Sequence, residues 1–172
     1  MEITTEQLLI RYVAGQRNFA GIDLKPATDT AGIELLKDAN LRGINLRGAN
    51  LHSADLKGVD LSRANLTGAN LCSANLRGAN LSEAILVGTN LRGASLGSAN
   101  LTCACLESAN LTRASLRGAN LLNADFSWAI LIETNFGSAS NLKINSTMFY
   151  VFFWKTILPD GTIEVGPRYS EQ

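Results

Sequence analysis

Few residues of this chain have side chains suited to acid–base or nucleophilic chemistry. The single histidine is His52, and the three cysteines are Cys72, Cys103 and Cys105. Cys103 and Cys105 are separated by one residue and have no further cysteine or histidine at the spacing of a zinc site. An odd number of cysteines favours a reduced compartment over a disulfide scaffold.

The carboxylates and glycines also lack the spacing of an active site. Glu83, Glu107 and Glu133 are dispersed along the chain, and the glycines recur at a fixed interval instead of preceding a helix as in a phosphate-binding loop. A catalytic base needs a nucleophile and an orienting acid within hydrogen-bond reach. We therefore predict no catalytic, cofactor-binding or metal-binding residues, and we expect no enzyme activity and no cofactor.

The charge balance argues against a nucleic-acid partner. The chain has 172 residues, with 15 Lys and Arg against 15 Asp and Glu, and we count eight basic against six acidic side chains between residues 42 and 137. A nucleic-acid surface would be strongly basic. There is no run of about 18 apolar residues that would span a membrane and no secretory signal pattern, so we expect a cytoplasmic protein without a membrane partner.

One five-residue unit organises the elements that would have to position any site. A large apolar residue, here called the centre, recurs every fifth residue without a slip. The twenty centres are Leu41, Leu46, Leu51, Leu56, Leu61, Leu66, Leu71, Leu76, Leu81, Leu86, Leu91, Leu96, Leu101, Leu106, Leu111, Leu116, Leu121, Phe126, Leu131 and Phe136.

The other four positions of the unit are also regular. Two residues before the centre stands a small residue, usually Ala, and between them a short polar residue, usually Asn. The second residue after the centre is often Gly, as at Gly43 and Gly78. Glycine and serine suit corners, because they tolerate unusual backbone angles or bond to the nearby backbone.

Neither regular secondary structure fits this period. In an α-helix, residues five apart lie about 140° apart around the axis, so the leucines would form no stripe. In a flat strand, an odd period sends successive leucines to opposite faces. Ala-Asn-Leu reads instead as a short in-out-in strand, and the next two residues as a corner. Repeated edges and corners predict a solenoid whose coils stack about 4.8 Å apart.

The repeat resembles that of the pentapeptide repeat family, whose pattern is A(D/N)Lxx, over about 100 of the 172 residues. The resemblance implies an all-β solenoid, a right-handed quadrilateral β-helix with twenty residues per coil, and a bacterial source, most plausibly a cyanobacterium. Four repeats per coil would put His52 and Cys72 in one outward column. The surface there should be convex and open to water, so we interpret their proximity as chance.

The same geometry predicts one column with several basic residues, namely Lys57, Arg77, Gly97, Arg117 and Gly137. The simpler interpretation is a solvated face, and the alternative is a surface for an acidic partner.

The two ends of the chain depart from the repeat. The first 17 residues predict a short helix that caps the first coil, with Thr4 and Gln7 as a capping box and Leu8, Leu9, Tyr12 and Val13 as its apolar face; a partner-binding helix is the alternative. Residues 18–141 predict the β-helix, with opening repeats centred on Phe19 and Leu24 and a loop or insertion at about 25–35.

Residues 142–172 predict a C-terminal cap followed by a tail. The cap includes an aromatic run from Met148 to Trp154 and a turn between Thr156 and Ile163. The excess of large apolar residues there suggests a second possibility, a homodimer formed through this end.

The sequence thus predicts a non-catalytic structural rod that binds a protein of unknown identity. The alternative is a DNA mimic that modulates a topoisomerase such as gyrase, a role that the resemblance suggests. The nearly neutral charge disfavours that alternative, because a mimic of DNA needs a strongly acidic surface.

Overall fold

The computed structural model describes residues 1–24, 36–143 and 150–165. The predicted loop at 25–35, the part of the aromatic run at Met148 and Phe149, and the tail from residue 166 onward lie outside the described residues. None of the described helices is long and apolar enough to cross a bilayer.

The repeats wind into a β-helix with twenty residues per coil. Each polar residue before a centre forms a parallel bridge with its equivalent one coil later, as between Asn45 and Asn65 or Asn70 and Asn90. The N–H of Leu91, for example, donates to the carbonyl oxygen of Asn110 at 2.8 Å, and the N–H of Asn90 donates to Ala69 at 3.0 Å. Such bonds run in both directions along the axis and join each coil to its two neighbours.

All twenty centres are buried, with no more than 2% of each side chain exposed. The interior is therefore a column of Leu and Phe side chains, filled in by the small residues that precede them. Thr89 and Thr134 replace Ala at two of these inner positions, and their hydroxyls donate to the carbonyl oxygens of Leu66 and Leu111. The inward-facing leucines confirm the prediction on which the solenoid rested.

Every corner has the same backbone conformation. The second residue after each of the twenty centres has a positive φ between 54° and 70°, and the residue after the corner donates its N–H to the carbonyl of the centre, as from Ala79 to Leu76 at 3.1 Å. This combination defines a type II turn. Glycine occupies only some of these corners. Arg63 and Trp128 are among the non-glycine residues that adopt the same φ.

Four faces result, which we number by their centres. Face 1 carries Leu41, Leu61, Leu81, Leu101 and Leu121; face 2 carries Leu46, Leu66, Leu86, Leu106 and Phe126; face 3 carries Leu51, Leu71, Leu91, Leu111 and Leu131; face 4 carries Leu56, Leu76, Leu96, Leu116 and Phe136.

The N-terminal segment lies against the first coil. Strand β1 (Glu2–Ile3) pairs in parallel with β2 (Asp23–Leu24), and helix α1 (Thr5–Val13) begins at the predicted capping box of Thr4 and Gln7. Leu8 is buried and the Tyr12 hydroxyl donates to the carbonyl of Arg42 at 2.8 Å. Val13, predicted to lie on the apolar face, is 84% exposed, because it lies about 140° around the helix from Leu8.

The C-terminal segment continues the coil. Strand β3 (Ile130–Ile132) pairs in parallel with β4 (Phe152–Trp154), and β5 (Thr156–Ile157) forms an antiparallel hairpin with β6 (Ile163–Glu164), as the predicted turn required. Val151 and Phe153 are buried. The residues that alternate with them point outward, so only part of the predicted aromatic run fills the end of the core. The division into residues 1–17, 18–141 and 142–172 remains a prediction.

Candidate functional site

The residues that precede the centres of face 3 in the middle coils are asparagines, and their side chains bond to one another. On face 3, the side-chain amide of Asn70 donates to Oδ1 of Asn50 at 3.1 Å, and that of Asn90 donates to Asn70 at 3.3 Å. The same oxygens accept backbone N–H groups two residues on, as from Cys72 to Asn70. These bonds support the structural role predicted for the Asn series.

This polar pattern ends at the last two levels of face 3. The position held by Asn50, Asn70, Asn90 and Asn110 is taken by Ile130 and then by Phe152. In the next outward position, Ile132 lies beside Trp154. Two neighbouring columns therefore change from polar to apolar at the same height along the rod.

A third column completes the apolar surface. The rings of Trp128 and Tyr150 stack with centroids 4.4 Å apart and planes inclined by 19°. Trp128 is 56% exposed, Tyr150 48%, Trp154 38% and Ile130 36%. We call the surface formed by Trp128, Ile130, Ile132, Tyr150, Phe152 and Trp154 the aromatic surface. Folding alone does not require apolar side chains at outward positions, and a contiguous exposed patch of this kind is typical of an interaction site.

Charged residues border the aromatic surface at the corner between faces 3 and 4. Nε of Arg113 lies 2.7 Å from Oε2 of Glu133. This hydrogen bond and the positive charge of Arg113, with a smaller contribution from Lys155, lower the pKa of Glu133 below its ordinary value. An apolar centre with a charged rim is the usual composition of a protein–protein interface.

The residues that drew attention in the sequence do not form a site of this kind. His52 is exposed and Cys72 half-buried in adjacent coils of face 3, and the Cys72 thiol lies 3.8 Å from the Ser73 hydroxyl. All three cysteines are free thiols. In the parts of the chain that the structure describes, no three His, Cys, Asp or Glu side chains are grouped to hold a metal ion.

Sequence reasoning missed Trp128, Ile130 and Ile132, which form half of the aromatic surface. The sequence contains a signal for them, namely large apolar residues at outward positions of the repeat. Trp128 stands at a corner, Ile130 directly before a centre and Ile132 directly after it, where other coils have Gly, Asn or a polar side chain. The contact between Trp128 and Tyr150 was not predictable, because these residues are 22 apart instead of the 20 of a regular coil.

The stacked coils, the inward leucines and the uniform corners together define a β-helical solenoid built from five-residue repeats. Eight copies of the pentapeptide repeat model match residues 35–71, 74–113 and 109–140. The chain belongs to the pentapeptide repeat family, and the solved structures of that family imply that its β-helix is right-handed.

Three similar solved structures illustrate the relationship. A pentapeptide repeat protein from the thylakoid lumen of Arabidopsis thaliana is 30% identical, with a TM-score of 0.58, covering 62% of this chain and 74% of that one. Rfr23 from the cyanobacterium Cyanothece 51142 is 28% identical, with a TM-score of 0.60, covering 75% and 95%.

The third structure is that of QnrB1, a plasmid-mediated fluoroquinolone resistance protein. It is 16% identical, with a TM-score of 0.51, covering 82% of this chain and 70% of that one, and at this identity it shows a shared fold alone. No curated protein sequence matches the chain.

Proposed function

We propose that this protein is a non-catalytic rod that binds a protein partner through the aromatic surface. The observation that carries the proposal is the change from bonded Asn to exposed Ile and aromatic side chains on the last two levels of face 3. Membership of a family of structural repeat proteins supports a role without catalysis. Aromatic residues are enriched at the centres of protein interfaces and often supply most of their binding energy.

The size of the aromatic surface limits what it can do alone. Covering the exposed parts of Trp128, Tyr150 and Trp154 would remove on the order of 300 Å² of mainly apolar surface, worth about 7 kcal/mol. Association costs about 4–15 kcal/mol in lost freedom of motion. A partner must therefore also contact the rim at Arg113, Glu133 and Lys155 to bind stably.

Intrinsic fluorescence gives a direct test, because the chain has two tryptophans and both lie in the aromatic surface. We would capture partners from native lysate with wild type and with Ile130→Asp, purify the captured protein and titrate it against wild type. The matched control is Ile85→Asp, which places the same charge at an equally outward position of face 2, where Ile85 is 43% exposed.

The expected result is that Ile130→Asp loses the partner, Ile85→Asp keeps it, and the tryptophan emission of wild type shifts to shorter wavelength on binding. Capture that is insensitive to Ile130→Asp, or emission that does not move at saturation, would refute a role for this surface.

A second copy of the chain is the other occupant that we propose for this surface, because the surface reaches the last level of the rod at Phe152 and Trp154. A homodimer would give a sedimentation coefficient that rises with protein concentration, together with the same shift in emission. Purely monomeric sedimentation at concentrations of roughly 100 μM, where contacts of about 5.5 kcal/mol are half occupied, would exclude it.

We also propose that α1 and the segment from Val151 to Glu164 cap the two ends of the core. Leu8 covers one end, and Val151 and Phe153 fill the other. Unpaired strand edges promote aggregation, so covered ends would keep the rod from joining other copies end to end. The cytoplasmic location remains a prediction.

A DNA mimic that acts on gyrase remains the less favoured alternative. The basic side chains between residues 42 and 137 outnumber the acidic ones, whereas a substitute for duplex DNA needs dense negative charge. Inhibition of gyrase supercoiling by the purified protein would be needed to revive this alternative.

A further inference from the structure

Face 4 carries exposed cationic side chains among outward residues that are mostly small. In the first position after the centre, successive coils have Lys57, Arg77, Gly97, Arg117 and Gly137. On face 4, the residues before the centres and the corner residues between positions 75 and 138 are Asn, Ser and Gly alone. The two arginines are therefore the largest side chains on this part of the face, and both are exposed.

Glycine in alternate coils gives these arginines room to lie along the face. A methyl group at Gly97 would lie 3.7 Å from Nη1 and 3.9 Å from Cγ of Arg77, and one at Gly137 would lie 3.9 Å from Cγ of Arg117. Each arginine side chain thus extends over the glycine of the next coil. The Cγ atoms of the two arginines have the same offset from these glycines, so the spacing of the side-chain stems follows that of the coils.

Within the described residues, the lack of an ion pair distinguishes these arginines from Arg63 and Arg113. Arg63 is followed one coil later by Glu83, and Arg113 by Glu133, and both pairs form ion pairs of 3.0 and 2.7 Å. Arg77 and Arg117 are followed by glycine, and neither forms an ion pair within residues 1–24, 36–143 and 150–165. Their charge is available to a partner.

Lys57, at the start of the column, differs from them. Asp38 belongs to the same corner column as Gly58, and its carboxylate extends over that glycine; Asp55 lies two residues before Lys57. These carboxylates offset the charge of Lys57. The net positive potential of face 4 is therefore concentrated at Arg77 and Arg117, which we call the arginine pair.

We propose that the arginine pair binds an acidic α-helix of a partner protein that lies along the rod axis. Arg77 and Arg117 are two coils apart, about 9.6 Å at the spacing of paired strands. Seven residues of α-helix span about 10.5 Å and return to nearly the same side. An extended strand presents same-side residues about 6.8 or 13.6 Å apart, which fits less well.

The chemistry of the pair favours carboxylates on a protein over a nucleic acid. A planar guanidinium accepts a carboxylate in a bidentate arrangement. Two or three cations release few counterions from nucleic acid, so such binding would be weak at physiological salt. The proposal concerns a different face from the aromatic surface and does not depend on it.

The test uses two synthetic peptides and two double variants of the full chain. The probe is an alanine-rich helical peptide of about 20 residues with glutamate at every seventh position, and its control has the same glutamates at every fifth position, which distributes them around the helix. The variant is Arg77→Glu with Arg117→Glu. The matched control is Arg47→Glu with Arg92→Glu, an equal change of charge on faces 2 and 3.

Binding is measured by fluorescence anisotropy at low salt, where the Debye length is about 30 Å, and again near physiological ionic strength. Wild type is expected to bind the probe about tenfold more tightly than the Arg77/Arg117 variant and severalfold more tightly than it binds the control peptide. The Arg47/Arg92 variant should stay within about threefold of wild type.

Equal losses in both double variants would overturn the proposal in favour of net charge alone. Equal binding of the two peptides would overturn the spacing argument, and tighter binding of a short DNA duplex than of the probe would identify a nucleic-acid surface instead. Ile130→Asp should leave peptide binding unchanged, which separates this result from the test of the aromatic surface.

Discussion

The corner residue of each repeat carries the main local constraint of this fold. Its φ is positive in all twenty repeats, a conformation that costs a non-glycine residue roughly 1–2 kcal/mol. Trp128 and Glu133 accept this angle, so closure of the coil overrides the preference of the individual residue. The sequence predicted corners where Gly and Ser recur, but it did not reveal that Trp128 would adopt the same angle.

Gly78 allows this constraint to be measured without a steric contribution. A side chain at Gly78 would meet nothing within 4 Å, and its φ is +66°. We expect Gly78→Val to lower the free energy of unfolding by about 1–2 kcal/mol, because a β-branched residue is disfavoured at positive φ. Urea denaturation followed by circular dichroism measures the change.

The matched substitution is Gly78→Asn, since asparagine tolerates this region better than other residues. It should cost less than Gly78→Val by roughly 1 kcal/mol. Equal destabilisation by the two variants would show that the corner at Gly78 is not limited by its backbone angle.

Helix α1 shows which properties of an element its sequence determines. The capping box at Thr4 and Gln7 and the buried Leu8 were predicted correctly, because both follow from spacing along one helix. Val13 was assigned to the wrong side. The side chains of α1 that pack against the core, Leu8, Leu9 and Tyr12, lie within about 100° of Leu8, whereas Val13 lies about 140° away.

Substitutions on the two sides of α1 test its proposed capping role. We expect Leu8→Ala to lower the free energy of unfolding by about 2–4 kcal/mol, because Leu8 is 1% exposed against the first coil. Ile10→Ala, where 62% of the side chain is exposed, should change it by no more than about 0.5 kcal/mol. Thermal denaturation with light scattering would report stability and aggregation together.

Similar small effects at both positions would contradict the capping role. A large effect of Ile10→Ala would point instead to the predicted alternative, in which the exposed side of α1 binds a partner.

The whole molecule is a one-dimensional stack in which each coil contacts its neighbours. On face 3 the described ladder runs through eight levels, from Glu2 through Asp23 and the Asn series to Ile130 and Phe152. In such a stack, stability arises from the interfaces between units, so damage at one level spreads along the rod.

Leu91 lies near the middle of this stack and is fully buried. We expect Leu91→Ala to cost about 2–5 kcal/mol and to shift the unfolding transition seen by circular dichroism and by tryptophan fluorescence equally. Both tryptophans lie near the C-terminal end, at Trp128 and Trp154, so their response reports whether the end unfolds with the middle. Leu122→Ala, on the surface at 39% exposure, is the control.

A fluorescence transition that stays at its wild-type midpoint while the circular dichroism transition moves would show that the last coils fold independently. The coils that unfold together with Leu91 would then not extend as far along the rod as Trp128.

Within the repeats, the sequence alone determined which side chains point inward and which outward. That property is local, because Ala-Asn-Leu alternates within three residues and the corner restores the phase before the next repeat. The number of residues per coil followed from the resemblance to the pentapeptide repeat family, since closure of a coil cannot be read from a five-residue period.

The tertiary structure decided which outward residues become neighbours. Within the repeats the offset between coils is 20 residues, as from Asn50 to Asn70. It becomes 27 at the first coil, where Asn45 reaches Asn18, and 22 at the last, where Ile130 meets Phe152. Backbone hydrogen bonds between coils fix these offsets, and an insertion shifts them without changing which side chains are buried. The aromatic surface exists because of that register, whereas the leucine core would form with any register that keeps the period.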